Sequence, residues 1–319
     1  MAVKKDPIVQ KVSKIYMKIS NLKSLKPSKD VNMLFTQLVL LCTPPNPIDV
    51  TKLHKTIQEM RLNLIRLCGE AEGLMEKHYA TILGSFDNPL HNLSIFPYFS
   101  NYIKLSHLEY NILSQHYPSG APNRVGFVGS GPLPLTSICL AMYHMTTTVF
   151  DNYDIDAEAN IMASRLIASD LDLSKRMFFH TKNIMKVTTK LKDYDAVFLA
   201  ALVGMNKEDK VQVIDHLATN MEPGALLIVR SAHSARGFLY PVVDPCDLRG
   251  FEVLSVCHPT DEIINSVMIA RKLAMNNHDY NNKLEVASIS LPSKCSPAEE
   301  YIFKMNMTEE FGYEMNLLA

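Results

Sequence analysis

The stretch that decides the fold is RVGFVGSGPLPLT, residues 124–136, in which an apolar run meets a glycine turn. Val125 to Val128 predict a short buried strand, and the turn Gly129-Ser130-Gly131 follows it directly. A helix is expected to begin near Pro134. In an open parallel sheet, ligands bind beyond the carboxyl ends of the strands. The stretch therefore predicts the first strand of an α/β sheet and a binding site at its end.

Similar strand-like runs recur along the rest of the chain, with helical stretches between most of them. They lie at residues 148–153, 176–180, 196–200, 225–229, 251–257 and 266–271. Strands that alternate with helices are typical of a mostly parallel sheet covered by helices on both faces. We therefore predict a Rossmann-like α/β fold with about seven mostly parallel strands.

The segments on either side of this region differ from it. Residues 1–118 show apolar positions at helical spacing, including one long helix from Thr51 to about Leu83, and predict an N-terminal helical domain. Residues 119–273 form the predicted Rossmann-like domain. Residues 274–319 are polar and are expected to be a poorly ordered tail.

Composition excludes several functions. The formal net charge is −1, so no basic field favours nucleic acid, and no apolar run reaches the roughly 20 residues of a membrane span. None of the eleven histidines falls in an HxH, HxxxH or HExxH pattern, so no metal is expected. A cytoplasmic protein with small-molecule substrates is the expectation. The segment from Tyr110 to Leu113 resembles a YxxΦ vesicle-sorting signal and so suggests vesicle association, although an amphipathic core helix explains the pattern better.

The glycine turn indicates what kind of ligand the sheet binds. It has the GxG spacing of Gly129 and Gly131 but no third glycine, and Pro132 and Pro134 follow where a dinucleotide binder would present amides to phosphate. The turn therefore suits a nucleoside without phosphate, such as S-adenosylmethionine. The alternative is an ordinary tight turn.

Three other strand ends support an adenosyl site. Asp154 ends the second strand, where its carboxylate could accept the ribose hydroxyls, while Asp156 could cap the next helix. Asn183 follows the third strand and could accept from the adenine amino group. After the fourth strand, Leu202 and its neighbours form an apolar rim for the adenine face.

The long helix carries two glycines and two carboxylates on one face. These residues fall at i, i+3, i+4 and i+7: Gly69, Glu72, Gly73 and Glu76. Interior glycine costs about 1 kcal/mol relative to alanine, which favours the close approach of a ligand or backbone at this face. If the pair is desolvated, one carboxylate should have a raised pKa and could accept a proton from an ammonium. A solvated face is the alternative.

Tyr98 and Tyr102 could hold or relay that proton, since they too are spaced at i, i+4. Tyrosines that only pack the helix are an equally good explanation from the pattern.

Several long stretches resemble the plant-type nicotianamine synthases, and the resemblance runs from about residue 8 to residue 272. They are LKPSKDVNMLFTQLVLLC, RLNLIRLCGEAEGLMEKHYATILGSFDNPL, FVGSGPLPLTS, YDIDAEAN, DAVFLAALVGMNKEDK, RSAHSARGFLYPVVDP and GFEVLSVCHPTDEIINSV. The resemblance implies a class I methyltransferase-like fold with an N-terminal helical domain. It also implies the joining of three S-adenosylmethionine molecules into nicotianamine, with release of three methylthioadenosines. The product chelates iron, zinc and copper, so a role in metal homeostasis is expected, without a metal in the enzyme.

The resemblance also suggests roles for individual residues. Glu72 or Glu76 would be the base and Tyr98 or Tyr102 the relay. Substrate carboxylates would need donors, for which the candidates are Arg230, His233 and Tyr240, although each could equally serve the fold.

One position departs from the family pattern. Family members often carry aspartate where this chain has Asn183, within a segment that reads TKNIMK here. An amide can still accept from adenine but lacks the charge, so the affinity for the adenosyl group could be slightly weaker. The rival functions are a small-molecule methyltransferase and a non-catalytic adenosyl-binding protein.

Overall fold

A computed structural model describes residues 6–117 and 120–274, and this part of the chain contains one seven-stranded sheet. Its strands are β1 (Arg124–Val128), β2 (Val149–Asp154), β3 (Met177–Thr181), β4 (Ala196–Leu199), β5 (Leu226–Ser231), β6 (Phe251–Cys257) and β7 (Ser266–Lys272). All seven predicted runs are strands, with ends that differ from the prediction by two residues at most.

The strand order explains where a ligand can bind. The order is β3-β2-β1-β4-β5-β7-β6. Strands β1 to β5 are parallel, whereas β7 is antiparallel to both β5 and β6. The prediction of a mostly parallel sheet is confirmed. The order reverses between β1 and β4, and the turn after β1 therefore lies at the topological switch point, where open α/β sheets bind their ligands.

The helices in the described residues are α1 (Pro7–Ser20), α2 (Lys29–Cys42), α3 (Lys55–Leu83), α4 (Phe99–His116), α5 (Leu135–Tyr143), α6 (Ala157–Ile167), α7 (Leu173–Arg176) and α8 (Lys207–Asn220). Ser28 caps α2 by accepting from the backbone N–H of Val31. Asp156 caps α6 by accepting from the N–H of Glu158, as expected from the sequence.

Helices cover both faces of the sheet. One apolar cluster joins α3, α4 and α5 to β1, β4 and β5, with Leu83, Leu113 and Phe198 almost fully buried. A second cluster packs α8 on the opposite face through Ile214 and Leu217. Helices α3 and α4 are thereby attached to the sheet by the same interactions that form its core.

Helix α3 reaches across the carboxyl edge of the sheet. Its Leu64, Cys68 and Ala71 pack in a third cluster with α1, α2 and the segment around Phe238. This packing turns the opposite face of α3 toward the end of β1. At the other end of the sheet, the carboxylate of Asp195 has a structural role, because it accepts from the backbone N–H groups of Asn123 and Arg124.

The segment from Tyr110 to Leu113 belongs to the core of the folded protein. Tyr110 stacks on His144 with ring centroids 4.9 Å apart, and Leu113 is buried in the first apolar cluster. Among the residues described, no helix is both long and apolar enough to cross a membrane. The predicted tail, from residue 275 onward, lies outside the described residues.

Candidate active site

A cavity of about 990 Å³ lies at the carboxyl edge of the sheet, between the turn after β1 and helix α3. Eleven of the thirteen residues that the sequence suggests for the site line it: Glu72, Glu76, Tyr102, Gly129, Ser130, Gly131, Asp154, Asn183, Leu202, Arg230 and Tyr240. The volume is in the range of small-molecule sites. Residues as far apart in the chain as Glu72 and Tyr240 therefore meet in one cavity.

The glycine turn requires glycine for two reasons. Gly129 and Gly131 adopt φ angles of +82° and +67°, which side chains of L residues rarely accept. A Cβ on Gly129 would also collide with the Val203 side chain. The turn thus approaches the loop after β4 closely and presents its backbone to the cavity.

Asp154 lies beside this turn with its carboxylate already oriented. Its Oδ2 accepts from the N–H of Gly131 at 2.9 Å, and its Oδ1 accepts from the N–H of Asp156 at 2.9 Å. Each oxygen retains a second lone pair. The carboxylate can therefore accept hydrogen bonds from a diol without moving.

The adjacent polar groups fit an adenosyl ligand. The hydroxyl of Ser130 is buried and has no hydrogen-bond partner within the described residues, so it can bond a ligand in the cavity. Asn183 is exposed at the rim, and its Oδ1 accepts from the N–H of Met185. Leu202 lies across the cavity near α3, where a Cβ on Gly69 would be 3.5 Å from its methyl groups.

The glycine–glutamate face of α3 is turned into the cavity. A Cβ on Gly73 would have no atom within 4 Å, because this glycine faces open cavity space. Glu76 approaches the glycine turn so closely that a Cβ on Gly131 would lie 2.8 Å from its Oε2. The face is not the solvated surface that the pattern alone allowed.

Both glutamates are paired with a tyrosine. The hydroxyl of Tyr102 donates to Glu76 Oε1 at 3.2 Å, and that of Tyr240 donates to Glu72 Oε2 at 2.8 Å. Burial raises the pKa of both carboxyls, and the charge of Glu72 raises the pKa of Glu76 further. The site therefore holds two carboxylates that bind a proton more readily than ordinary glutamates.

Arg230 supplies positive charge near the same carboxylates. Its Nε and Nη2 donate to the two oxygens of Glu109 at 2.7 and 2.9 Å, and Nη2 also donates to Thr136 Oγ1 at 2.6 Å. Its Nη1 has no hydrogen-bond partner in residues 6–117 and 120–274 and remains for a ligand. The charge of Arg230 lowers the pKa values of Glu72 and Glu76 and partly offsets the effect of burial.

Two of the suggested residues are not in this cavity. His233 is exposed and stacks on His258, with centroids 4.0 Å apart, because the chain turns away after β5. Tyr98 lies at the N-terminus of α4 and lines only a second cavity, which Glu72 also lines. Neither residue lines the main cavity, and their suggested roles, a proton relay for Tyr98 and a donor to substrate carboxylates for His233, stay predictions.

The second cavity, of about 260 Å³, lies between α2, α3 and α4. Its walls are largely apolar. It shares four residues with the main cavity: Glu72, Tyr102, Tyr240 and Asn265. These side chains therefore separate the two spaces.

Sequence reasoning missed three residues of the site. Glu109 is fully buried in α4 and could not be told from a surface glutamate by pattern. Asn265 precedes β7 without any motif. Arg66, which is exposed at the mouth of the cavity, could have been predicted from the sequence, because it lies three residues before Gly69 on the same helical face. No cluster of three or more His, Cys, Asp or Glu side chains suited to a metal occurs in the described ranges.

Comparison with known proteins gives consistent results. Residues 1–277 match the family model described as nicotianamine synthase protein. The chain is 61% identical to nicotianamine synthase of Solanum lycopersicum over 97% of this chain and 98% of that protein. It is 55% identical to nicotianamine synthase 3 of Arabidopsis thaliana, over 98% of each chain. The crystal structure of MtNAS in complex with MTA and tNA superposes with a TM-score of 0.72 at 19% identity, over 84% of this chain and 99% of that chain.

The sheet order, the glycine turn and the acidic end of β2 define an S-adenosylmethionine-dependent protein of the class I methyltransferase-like superfamily. Within that class, the match over most of the chain shows the particular group. The chain belongs to the nicotianamine synthase family.

Proposed function

We propose that this cavity joins three S-adenosylmethionine molecules by transfer of their 3-amino-3-carboxypropyl arms, giving nicotianamine and three 5′-methylthioadenosines. One observation carries the proposal. Two partly buried carboxylates with raised pKa values, Glu72 and Glu76, line one cavity with a glycine turn that suits a nucleoside, and Glu76 lies directly against this turn.

The adenosyl group would be held at the ends of three strands. Asp154 accepts from the ribose hydroxyls, with its oxygens oriented by two backbone N–H groups. Leu202 packs on the adenine and Asn183 accepts from its amino group at the rim. Ser130 bonds the ligand through its unpaired hydroxyl.

Glu76 is the base that we assign to the transfer. It lies over the glycine turn, whereas Glu72 lies at the wall of the second cavity. Glu76 takes the proton of the acceptor ammonium, and Tyr102 holds this carboxylate in place. The neutral α-amine then forms a C–N bond to the γ-carbon of the donor arm. The C–S bond breaks, and its electron pair leaves with neutral thioether; three such substitutions release three methylthioadenosines.

Arg230 and Tyr240 complete the site on the side of the amino-acid arms. The unpartnered Nη1 of Arg230 donates to a substrate carboxylate, and Glu109 holds the guanidinium in position for that contact. Tyr240 fixes Glu72, which faces the acceptor ammonium as a counter-charge. Orientation of two charged substrates in line contributes much of the rate.

Incubation of the purified chain with S-adenosylmethionine alone tests the proposal. Mass spectrometry should find the condensate of three arms together with methylthioadenosine. Adenosylhomocysteine in its place, formed only when an acceptor is added, would establish the methyltransferase instead. Binding without turnover would establish a non-catalytic adenosyl-binding protein.

We further propose a cytosolic enzyme whose product chelates iron, zinc and copper for metal homeostasis. The cytosol is the default location for a chain of this composition, with 47% hydrophobic and 20% charged residues as in ordinary globular proteins. Vesicle sorting through Tyr110 would require the packed segment to leave the core, as Leu113 is buried. Imaging of a fluorescent fusion tests the location, and a vesicular pattern retained by Tyr110→Phe would rule out this sorting signal.

A further inference from the structure

A buried amide without a partner lies between the two cavities. Asn265 is 7% exposed, lines both spaces, and its Nδ2 has no hydrogen-bond partner within the described residues. A buried donor that is left unpaired destabilises the folded protein. A side chain of this kind is expected to find its partner in a ligand that enters the cavity.

The sheet places this amide next to Arg230. In the antiparallel pair of β5 and β7, Arg230 pairs with Val267 and Ser231 with Ser266. Asn265 directly precedes β7, and continuing the register by one step beyond the last observed pair would place it opposite Ala232, diagonal to Arg230 and on the same face of the sheet. Such diagonal neighbours are about 7–8 Å apart, within the reach of long side chains. The Nη1 of Arg230 and the Nδ2 of Asn265 thus offer two unpartnered donors at one edge.

An acceptor for an ammonium lies beside these donors. Glu72 lines the same two cavities as Asn265 and is held by Tyr240. One anion and two N–H donors, facing a shared space, are complementary to an α-amino acid with its ammonium and carboxylate. The adenosyl end is served by other residues, Asp154 and Ser130, at the glycine turn.

We propose that Asn265 binds the carboxylate of the acceptor amino acid, together with Arg230, and that the arm already attached to this acceptor extends into the second cavity. The proposal rests on the proposed function, because it assigns the second substrate of the same reaction. The second cavity, at about 260 Å³, includes the polar side chains of Asn32, Thr36 and Asn101, which could serve the charged groups of an aminocarboxypropyl arm, whereas the main cavity at about 990 Å³ would hold the adenosyl group. Asn265 would therefore retain the intermediate between transfers.

Product distribution distinguishes this role from a structural one. The variant Asn265→Asp keeps the shape but replaces the donor with a charge that repels a carboxylate. We expect the ratio of two-arm intermediate to nicotianamine in solution to rise at least tenfold, and the ratio of methylthioadenosine to nicotianamine to rise above three. Affinity for methylthioadenosine, measured by calorimetry, should change less than twofold. The control Asn63→Asp makes the same change on the exposed surface of α3 and should leave every ratio unaltered.

Two further variants cover the other outcomes. Asn265→Ala removes the donor without adding charge and should also release intermediate, while Asn265→Gln should restore part of its retention. If Asn265→Asp and Asn265→Ala fold and give the wild-type product ratio, the proposal is wrong. If neither folds, by circular dichroism, Asn265 is a structural residue and the proposal is equally wrong. A wild-type protein that forms no nicotianamine would instead refute the proposed function.

Discussion

Glu76 lies directly over Gly131, with its Oε2 only 2.8 Å from the position that a Cβ on this glycine would occupy. The glycine therefore has two roles at once. Its φ of +67° makes the turn, and its missing side chain leaves room for a carboxylate from another part of the chain. The carboxylate that we propose as the base and the turn that we propose for the nucleoside are therefore in contact through a single residue.

Gly131→Ala should for this reason impair turnover more than folding. The added methyl group displaces the Glu76 carboxylate, so we expect kcat to fall at least tenfold, with a cost of about 1–2 kcal/mol in stability from the left-handed φ. The matched control is Gly224→Ala, where φ is +91° but no atom lies within 4 Å of the added Cβ. Equal kcat losses in the two variants would contradict the contact with Glu76.

The pH dependence of turnover should respond to Glu72. Because the charge of Glu72 raises the pKa of Glu76, Glu72→Gln should move the acid limb of the kcat profile to lower pH. Residual kcat should be at least tenfold below wild type, since the counter-charge for the acceptor is lost. The exposed Glu70→Gln serves as the control. An acid limb that stays in place or moves to higher pH would show that the two carboxylates are not coupled.

Glu76→Gln should stabilise the protein at neutral pH. Burial raises the pKa of Glu76 in the folded state above its ordinary value of 4.5, so the folded state binds the proton more tightly than the unfolded state. The stability contributed by this group is complete below its ordinary pKa and is lost as pH rises through the folded-state pKa. Glutamine does not ionise and avoids that loss.

Thermal unfolding of this variant and wild type across pH gives the measurement. The Tm advantage of Glu76→Gln should be present at neutral pH and disappear as the pH falls below the ordinary glutamate pKa of 4.5. Turnover should fall at least tenfold, with methylthioadenosine affinity nearly intact. A Tm difference that is independent of pH would argue against a desolvated carboxyl.

Substitutions at Asp154 and Asp156 should separate an effect on ligand binding from an effect on the capping of α6. Asp154→Ala removes the acceptor of the ribose hydroxyls and should weaken methylthioadenosine binding at least tenfold by calorimetry. Asp156→Ala removes the cap of α6 and the ion pair with Lys77, and should cost about 1 kcal/mol of stability with little change in affinity. If Asp156→Ala weakened binding and Asp154→Ala only lowered stability, the roles of ribose acceptor and helix cap would have to be exchanged.

Glu109→Gln tests the buried ion pair. Arg230 is 7% exposed and Glu109 is fully buried. The variant therefore leaves the buried positive charge of Arg230 next to a neutral amide instead of a carboxylate. Loss of one partner of a buried pair costs about 3–5 kcal/mol. Urea unfolding should detect this loss, whereas Glu262→Gln, at the exposed pair with Lys104, should cost less than about 1 kcal/mol. Similar losses in both variants would mean that Glu109 does not stabilise Arg230 in the core.

Much of the fold followed from local pattern. The alternation of apolar runs and helical stretches predicted all seven strands, and the turn at Gly129 to Gly131 located the edge of the sheet where the main cavity lies. Strands and helices are recognised from apolar residues that repeat every two and every 3.6 residues, and left-handed turns are recognised from glycine. These signals need only residues that are close together in the sequence. Asp156 was predictable as a cap for the same reason.

Only the tertiary structure decided which distant side chains share a space. It placed Glu76 over Gly131, paired Arg230 with Glu109, left His233 and Tyr98 outside the main cavity, and placed Asn265 between two cavities. These relationships depend on how α3 and α4 pack across the sheet edge. Such packing arises from the burial of apolar faces over the whole chain. The polar residues that it brings to the sheet edge therefore cannot be recognised from a periodic pattern in the sequence around them.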